Sequence, residues 1–263
     1  MRKITVAKKK TLFYSSFEDD FEQTQNQNFK LPDDYKWIKK DPLSKFLGVF
    51  TYALAIIFSS VYCHLFLGVR IKGKKLLKNS KKTGAFIYGN HTQPIGDVFD
   101  PALACFPYSR IYTVVSPANY ALPIIGKILP YLGALPIPDT VTGMKKFTEA
   151  LNERLDDGHP IVIYPEAHIW PYYTKIRPFP DTSFKFPVKA KKPSFAMTAT
   201  YQKRRWRKRP KITIYIDGPF FADETLSRKE QPRKLAEDVF KCMSRRAELS
   251  NCEYITYKHR DGV

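Results

Sequence analysis

Cysteine is scarce and unorganised in this chain: Cys63, Cys105, Cys242 and Cys252 are all there is, far apart and without metal-ligand spacing. This excludes a disulfide-stapled small domain and predicts reduced thiols in a cytosolic setting. Acidic residues are also few, 25 Asp and Glu against 44 Lys and Arg, for a formal net charge of +19. Such an excess implies an anionic partner, whether nucleic acid, an anionic bilayer or a phosphate-bearing substrate. No Gly-x-Ser-x-Gly occurs, which counts against a nucleophile-elbow esterase. No internal repeat is visible, and with 43% hydrophobic and 14% aromatic residues the chain is too apolar to be disordered. Its 263 residues suffice for one large domain with a substantial core and a tail at either end.

A further absence is local. Residues 46–69 contain no Lys, Arg, Asp or Glu and are rich in Leu, Ile, Val, Phe and Ala. A helix of roughly 20 such residues crosses the hydrocarbon core of a bilayer. The stretch starts too far from Met1 for a signal peptide. Thr51, Ser59, Ser60 and His64 interrupt it and also fit a buried or interfacial helix, but membrane insertion is the expectation. Arg70, Lys72, Lys74, Lys75, Lys78, Lys81 and Lys82 follow at once, favouring anionic headgroups and a cytoplasmic placement of what comes next. Residues 1–45 hold ten basic residues as well, so a segment entering and leaving the same leaflet would satisfy both flanks. Seven of the nine residues in 203–211 are basic, with Trp206 among them, which fits contact with a bilayer surface. Nucleic acid is the rival partner and ranks below the bilayer, because no nucleic-acid-binding motif is present.

Along the chain, residues 1–45 read as a polar arm, flexible or lying on a membrane surface, with a low-complexity patch at 23–28. The hydrophobic helix occupies 46–69, the main domain 70–250 and a short tail 251–263. Within the domain, strands are predicted at 85–88, 110–115, 134–137, 160–164, 194–201 and 211–216, and helices at 98–106, 122–132, 142–155 and 232–248. Alternation of this kind predicts a sheet covered by helices.

Two short blocks carry the chemistry. One is Tyr88-Gly-Asn-His-Thr-Gln-Pro-Ile-Gly-Asp97, a histidine with a nearby carboxylate between a predicted strand and a predicted helix. Such a histidine can take a proton from an alcohol. The other is Val162-Ile-Tyr-Pro-Glu-Ala167, an apolar run that places Glu166 at the tip of a strand. A His-Asp pair alone is also what an ordinary loop shows, and a carboxylate at a strand end is commonly a cap or a salt bridge. His159 and His168 show no spacing that would make a metal set with His91, so no metal is expected. The Trp170-Pro-Tyr-Tyr173 segment reads as the wall of an apolar pocket.

Together the blocks resemble the glycerolipid acyltransferases, the PlsC-like 1-acylglycerol-3-phosphate acyltransferases, over about residues 70–245. That family carries Asn-His-x-x-x-x-Asp and Pro-Glu-Gly-Thr-Arg. The resemblance implies an α/β fold, a mixed and mostly parallel sheet covered by helices, here preceded by an N-terminal membrane-inserting helix. It implies that His91 is the base, Asp97 its orienter (with Asp100 as fallback), and Asn90 and Glu166 part of the substrate site. It implies no cofactor, an acyl-CoA or acidic acyl-carrier protein as donor, and a lysolipid acceptor. Leu122-Pro-Ile-Ile-Gly126 and Leu132-Gly-Ala-Leu-Pro-Ile137 are similar to another family block.

The departures are specific. One inserted residue moves the family aspartate from Gly96 to Asp97, and glycine's tolerance of unusual φ and ψ is expected to absorb it. Ala167, His168 and Ile169 replace the family's Gly, Thr and Arg, and Asp139 stands where its other acceptor-binding arginine would fall. Arg177 and Lys175 are the nearby cations available for the acceptor instead. The expectation is therefore a membrane-associated O-acyltransferase with an altered acceptor. The readings held beside it are a catalytically impaired lipid-binding protein of the same fold and a basic, membrane-anchored nucleic-acid binder.

Overall fold

The structure is a computed structural model that describes residues 10–22, 26, 28–32, 34–205 and 207–260. Its strands in chain order are β1 (Lys10–Tyr14), β2 (Arg70–Lys72), β3 (Phe86–Gly89), β4 (Tyr112–Val115), β5 (Ala134–Pro136), β6 (Ile161–Ile163), β7 (Ser194–Gln202), β8 (Lys211–Phe220) and β9 (Ile255–His259). The α-helices are α1 (Pro42–Val61), α2 (Ser80–Thr83), α3 (Gly96–Cys105), α4 (Ile125–Leu132), α5 (Val141–Asp156), α6 (Lys185–Ala190) and α7 (Glu230–Ala247).

Seven strands form one sheet in the order β2-β8-β7-β3-β6-β4-β5, parallel throughout except for the antiparallel β7–β8 pair. The central strands are apolar on both faces, as a sheet covered on both sides requires. Strand alternation divides their side chains between two cores. Ile87, Val162, Met197 and Ile214 pack with Ala102, Leu103 and Cys105 of α3 and Ile56 of α1. Phe86, Tyr88, Ile161 and Ile163 pack on the other face with Phe147, Leu151 and Leu155 of α5 and Leu235, Val239 and Met243 of α7. Each such side chain contributes roughly 1.5–3 kcal/mol by leaving water. The chain is thus α/β with a mostly parallel sheet between helices, as expected.

The apolar run forms α1 and a following π-helical turn, Tyr62–Leu67. Asp41 caps its start by accepting from the Ser44 N–H at 2.7 Å, Pro42 occupies the first turn, and Gly68 ends it at φ 65°. The continuous stretch Pro42–Leu67 is long and apolar enough to cross a membrane, and only 17% of its most apolar part is buried. Its contacts with the domain run along its length. Arg110 donates to the Gly48 carbonyl at 3.3 Å and to that of Tyr131 on α4 at 2.6 Å. The Ile111 N–H donates to the Tyr52 hydroxyl at 3.2 Å. Phe58 and Tyr62 meet Phe99 of α3 at 5.7 and 6.3 Å. On the outward side Phe46, Val49, Leu54, Ile57, Phe58 and Leu65 are each about half or more exposed.

Parts of the two terminal segments, expected as a polar arm, flexible or on a membrane surface, and a short tail, meet each other. β1 and β9 pair in parallel as a separate two-stranded sheet, so residues 10–14 are held to the far end of the chain. The 203–211 run joins β7 to β8. Its Arg204 donates to the Leu67 carbonyl at the end of the apolar helix. Lys211 lies near Arg70, Lys72 and Arg204, whose charges add to partial burial in lowering its pKa. Trp206, expected at headgroup depth, lies outside the described residues, as does much of the 23–28 patch.

Candidate active site

β3 and β6 are adjacent and parallel, with Tyr88 opposite Ile163, so the segments that follow them emerge side by side. This is why the two distant blocks share one site. Carboxyl ends of parallel strands are where open α/β sheets place their ligands.

Asn90 leaves β3 with its side-chain amide bonded to the β7 main chain, accepting from the Ala199 N–H at 2.8 Å and donating to its carbonyl at 3.1 Å. The amide is 3% exposed and holds the loop to the sheet. His91 follows, with Nδ1 2.8 Å from Asp97 Oδ2. The same oxygen accepts the Gln93 N–H at 2.9 Å. A carboxylate on Nδ1 places the proton there and leaves Nε2 as the basic nitrogen. The imidazole stacks on Tyr164, centroids 4.4 Å apart, and the Tyr164 hydroxyl donates to the Asp97 carbonyl at 2.6 Å. The His91 side chain remains 18% exposed while that of Asp97 is 5% exposed, so the pair opens only at the base.

Asp97 reaches His91 from the first turn of α3. Gly96 serves there by lacking a side chain rather than by an unusual φ. A Cβ on it would fall 2.3 Å from Gln93 Oε1 and 3.0 Å from Asp100 Oδ2. Those two residues are hydrogen-bonded to each other at 2.7 Å behind the dyad. Asp100 therefore does not reach His91. Burial, then the charge of Asp97, raises its pKa to about 8. Asp97 is raised as well, by burial, against the opposing effect of His91 and of hydrogen bonds from Gln93 and Thr92. The two carboxyls thus divide by geometry: Asp100, with its pKa raised to about 8, faces Gln93, and Asp97 is the partner of the histidine.

Glu166 is 4% exposed. Its Oε2 accepts the His91 N–H at 3.1 Å and the Arg177 Nη2–H at 3.2 Å, and its Oε1 accepts the Arg177 N–H at 2.9 Å. Burial raises its pKa, while the Arg177 guanidinium and these N–H groups act in the opposite direction. Arg177, expected to be a cation for the acceptor, is 1% exposed and lies inside, over the Trp170 ring at 4.9 Å. Lys175 is exposed on the intervening loop. Trp170, expected as a pocket wall, is fully buried, with its indole N–H on the Asp19 carbonyl at 2.7 Å. Asp139 is exposed and 3.8 Å from Lys30. His159 leans on Tyr112 and His168 faces Asp20, each apart from His91.

Sequence reasoning missed Gln93, Tyr164, Thr92 and Tyr201. The Tyr201 hydroxyl lies 2.7 Å from Thr92 Oγ1 and ties the His91 loop to the end of β7. The signal for Gln93 and Tyr164 was their place inside the two blocks, whereas nothing marked Tyr201.

No family model matches the chain, and no curated protein matches it by sequence. Among solved structures it is similar to the 1-acyl-sn-glycerophosphate (LPA) acyltransferase PlsC from Thermotoga maritima. The two are 18% identical with a TM-score of 0.56, over 82% of this chain and 86% of that one. The fold is therefore that of a PlsC acyltransferase. At this identity the likeness extends to the fold and no further.

Proposed function

We propose that the protein is a membrane-associated O-acyltransferase that moves an acyl chain from an acyl thioester to the hydroxyl of a lysolipid or related acceptor. The observation that carries this reading is the His91–Asp97 pair, bonded at 2.8 Å at the strand ends of this fold. Nε2 of His91 takes the proton of the acceptor hydroxyl as its oxygen attacks the thioester carbonyl. The tetrahedral intermediate collapses, breaking the carbon–sulfur bond, and the thiolate leaves with the proton from the imidazolium. Asp97 keeps the Nδ1 proton in place and stabilises the imidazolium. The donor is acyl-CoA or an acyl-carrier protein, and an activated thioester needs no metal or organic cofactor.

Besides the outward face of α1, Ile95 and Val98 near the dyad and Ile124 and Ile125 at the start of α4 are exposed. A helix attached to the domain from Gly48 to Tyr62 lies along it rather than leaving it. We therefore read α1 as inserted in one leaflet, with the basic hairpin 203–211 and Arg70 at the headgroups and the domain on the cytoplasmic side. The experiment is thioester consumption by the purified protein in anionic vesicles with mixed lysolipids, read by free-thiol release and product mass. Transfer that His91→Ala abolishes supports the reading. Lipid binding without thiol release would turn it toward a lipid-binding protein of the same fold.

A further inference from the structure

His91 is held by its main chain as well as by its ring. Its N–H donates to Glu166 at 3.1 Å and its carbonyl accepts the Trp170 N–H at 3.0 Å. Both holding residues belong to the loop after β6, so the loop grips the histidine's backbone from two sides. What fixes the loop is Arg177. It bonds Glu166 through its own N–H and through its guanidinium, donates to the His168 carbonyl, and lies on the Trp170 ring.

The remaining side of Arg177 belongs to the beginning of the chain. Nη1 donates to the Phe17 carbonyl at 3.0 Å, and the Trp170 indole donates to the Asp19 carbonyl at 2.7 Å. Tyr14, Phe17 and Phe21 pack on Trp170 with centroids 4.8, 5.9 and 5.2 Å away, and β1 is anchored on β9. A phosphate cannot reach a guanidinium that is 1% exposed. A buried ion pair is also a weak source of net stability, since desolvation offsets its attraction. Its geometric effect is large, because it sets where the His91 backbone lies.

We propose that Arg177 is a positioning residue for His91, and that residues 10–22 strap it in place, making the N-terminal segment part of the active centre. The proposal rests on His91 being the base. A general base must sit within hydrogen-bond reach of its proton, and displacement by about 1 Å can cost about 10²-fold in rate.

The test uses full-length Arg177→Met, Arg177→Lys and Trp170→Phe. Arg177→Met is expected to lower kcat by about 10-fold or more with both KM values unchanged within about twofold, the pattern of a misplaced base rather than a lost contact. Arg177→Lys should recover part of the loss. Trp170→Phe keeps an aromatic ring but deletes the bond to Asp19 and trims the packing on Tyr14, Phe17 and Phe21. It should lower kcat several-fold and speed tryptic cleavage at Lys10, which keeps the test alive if Arg177→Met does not fold. A rise in acceptor KM at unchanged kcat would place Arg177 at the substrate and overturn the proposal, as would unchanged kcat in both variants. A second readout needs no turnover: the low-field Nδ1–H proton resonance of His91, assigned by its loss in His91→Ala. Weakening of that signal in Arg177→Met supports the strap even if the wild type transfers no acyl group, and an unchanged signal overturns it.

Discussion

Two buried carboxyls stand behind one histidine, and the residue scale is where their roles separate. Asp97 meets His91 directly, whereas Asp100 is turned toward Gln93 and is neutral. His91→Ala is expected to cut acyl transfer by at least about 10²-fold. Asp97→Asn should cut it substantially and Asp100→Asn much less, because an amide is nearly isosteric with a neutral acid. Crippling by Asp100→Asn in the same assay would reverse the assignment. The raised Asp100 pKa also has a stability consequence. The folded state holds a proton on this group up to about pH 8, whereas the unfolded chain releases it near 4. Its stabilising contribution is therefore complete below about pH 4 and is lost as pH rises toward 8. Thermal unfolding between these limits should show a decline that Asp100→Asn flattens. Next to Glu166, Ala167 sits at φ 62°, where the resembling family has glycine. A left-handed alanine costs about 1 kcal/mol, so Ala167→Gly should raise the melting temperature by about 2–4 °C. An unchanged or lower value would show that the strain is absent.

At the scale of elements, long and periodic segments were legible. α5 and α7 lie within two residues of the spans predicted from their apolar spacing. β3, β6 and β7 were readable because buried strands in a parallel sheet are apolar runs, and β8 because its isoleucines recur at every second position. β2 was hidden, since Arg70-Ile-Lys72 reads as part of a basic run and becomes a strand only by pairing with β8. β1 and β9 were hidden for a related reason: they complete each other across nearly the whole chain, and no local pattern reports that. The buried place of Arg177 depends on the same long-range closure, whereas the His91–Asp97 pair is local and was visible. α1 has the right composition for a spanning helix, and only its contacts along the domain show how it lies. We expect the protein to stay with anionic vesicles after a high-salt wash, because insertion of α1 is apolar. Leu54→Lys with Ile57→Lys, both on the outward side, should release it at unchanged melting temperature in detergent. Ile56→Ala, on the buried side, should instead destabilise the fold by about 2–3 kcal/mol. Full release by salt alone would count against insertion.

At the scale of the whole molecule, the cations are unevenly placed. The basic hairpin leaves the end of β7 that Tyr201 ties to the His91 loop, so its charge stands at that end of the sheet. The positions where the resembling family grips an acceptor phosphate carry none: Asp139 is exposed and Ile169 is apolar. Arg177, the arginine nearest in sequence to Ile169, is enclosed behind Glu166. A phosphate brought out of water without a paired cation is costly, and Asp139 would repel it. Lysophosphatidic acid is therefore expected to be a poor acceptor compared with a lysolipid that lacks a terminal phosphate. The measurement is a competition among lysolipids of different headgroup, in vesicles of fixed charge so that surface attraction does not vary. Asp139→Arg is run beside the wild type. A gain for lysophosphatidic acid in the variant supports the account. A strong preference for it in the wild type would show that another cation, exposed Lys175 or the basic hairpin, serves the phosphate.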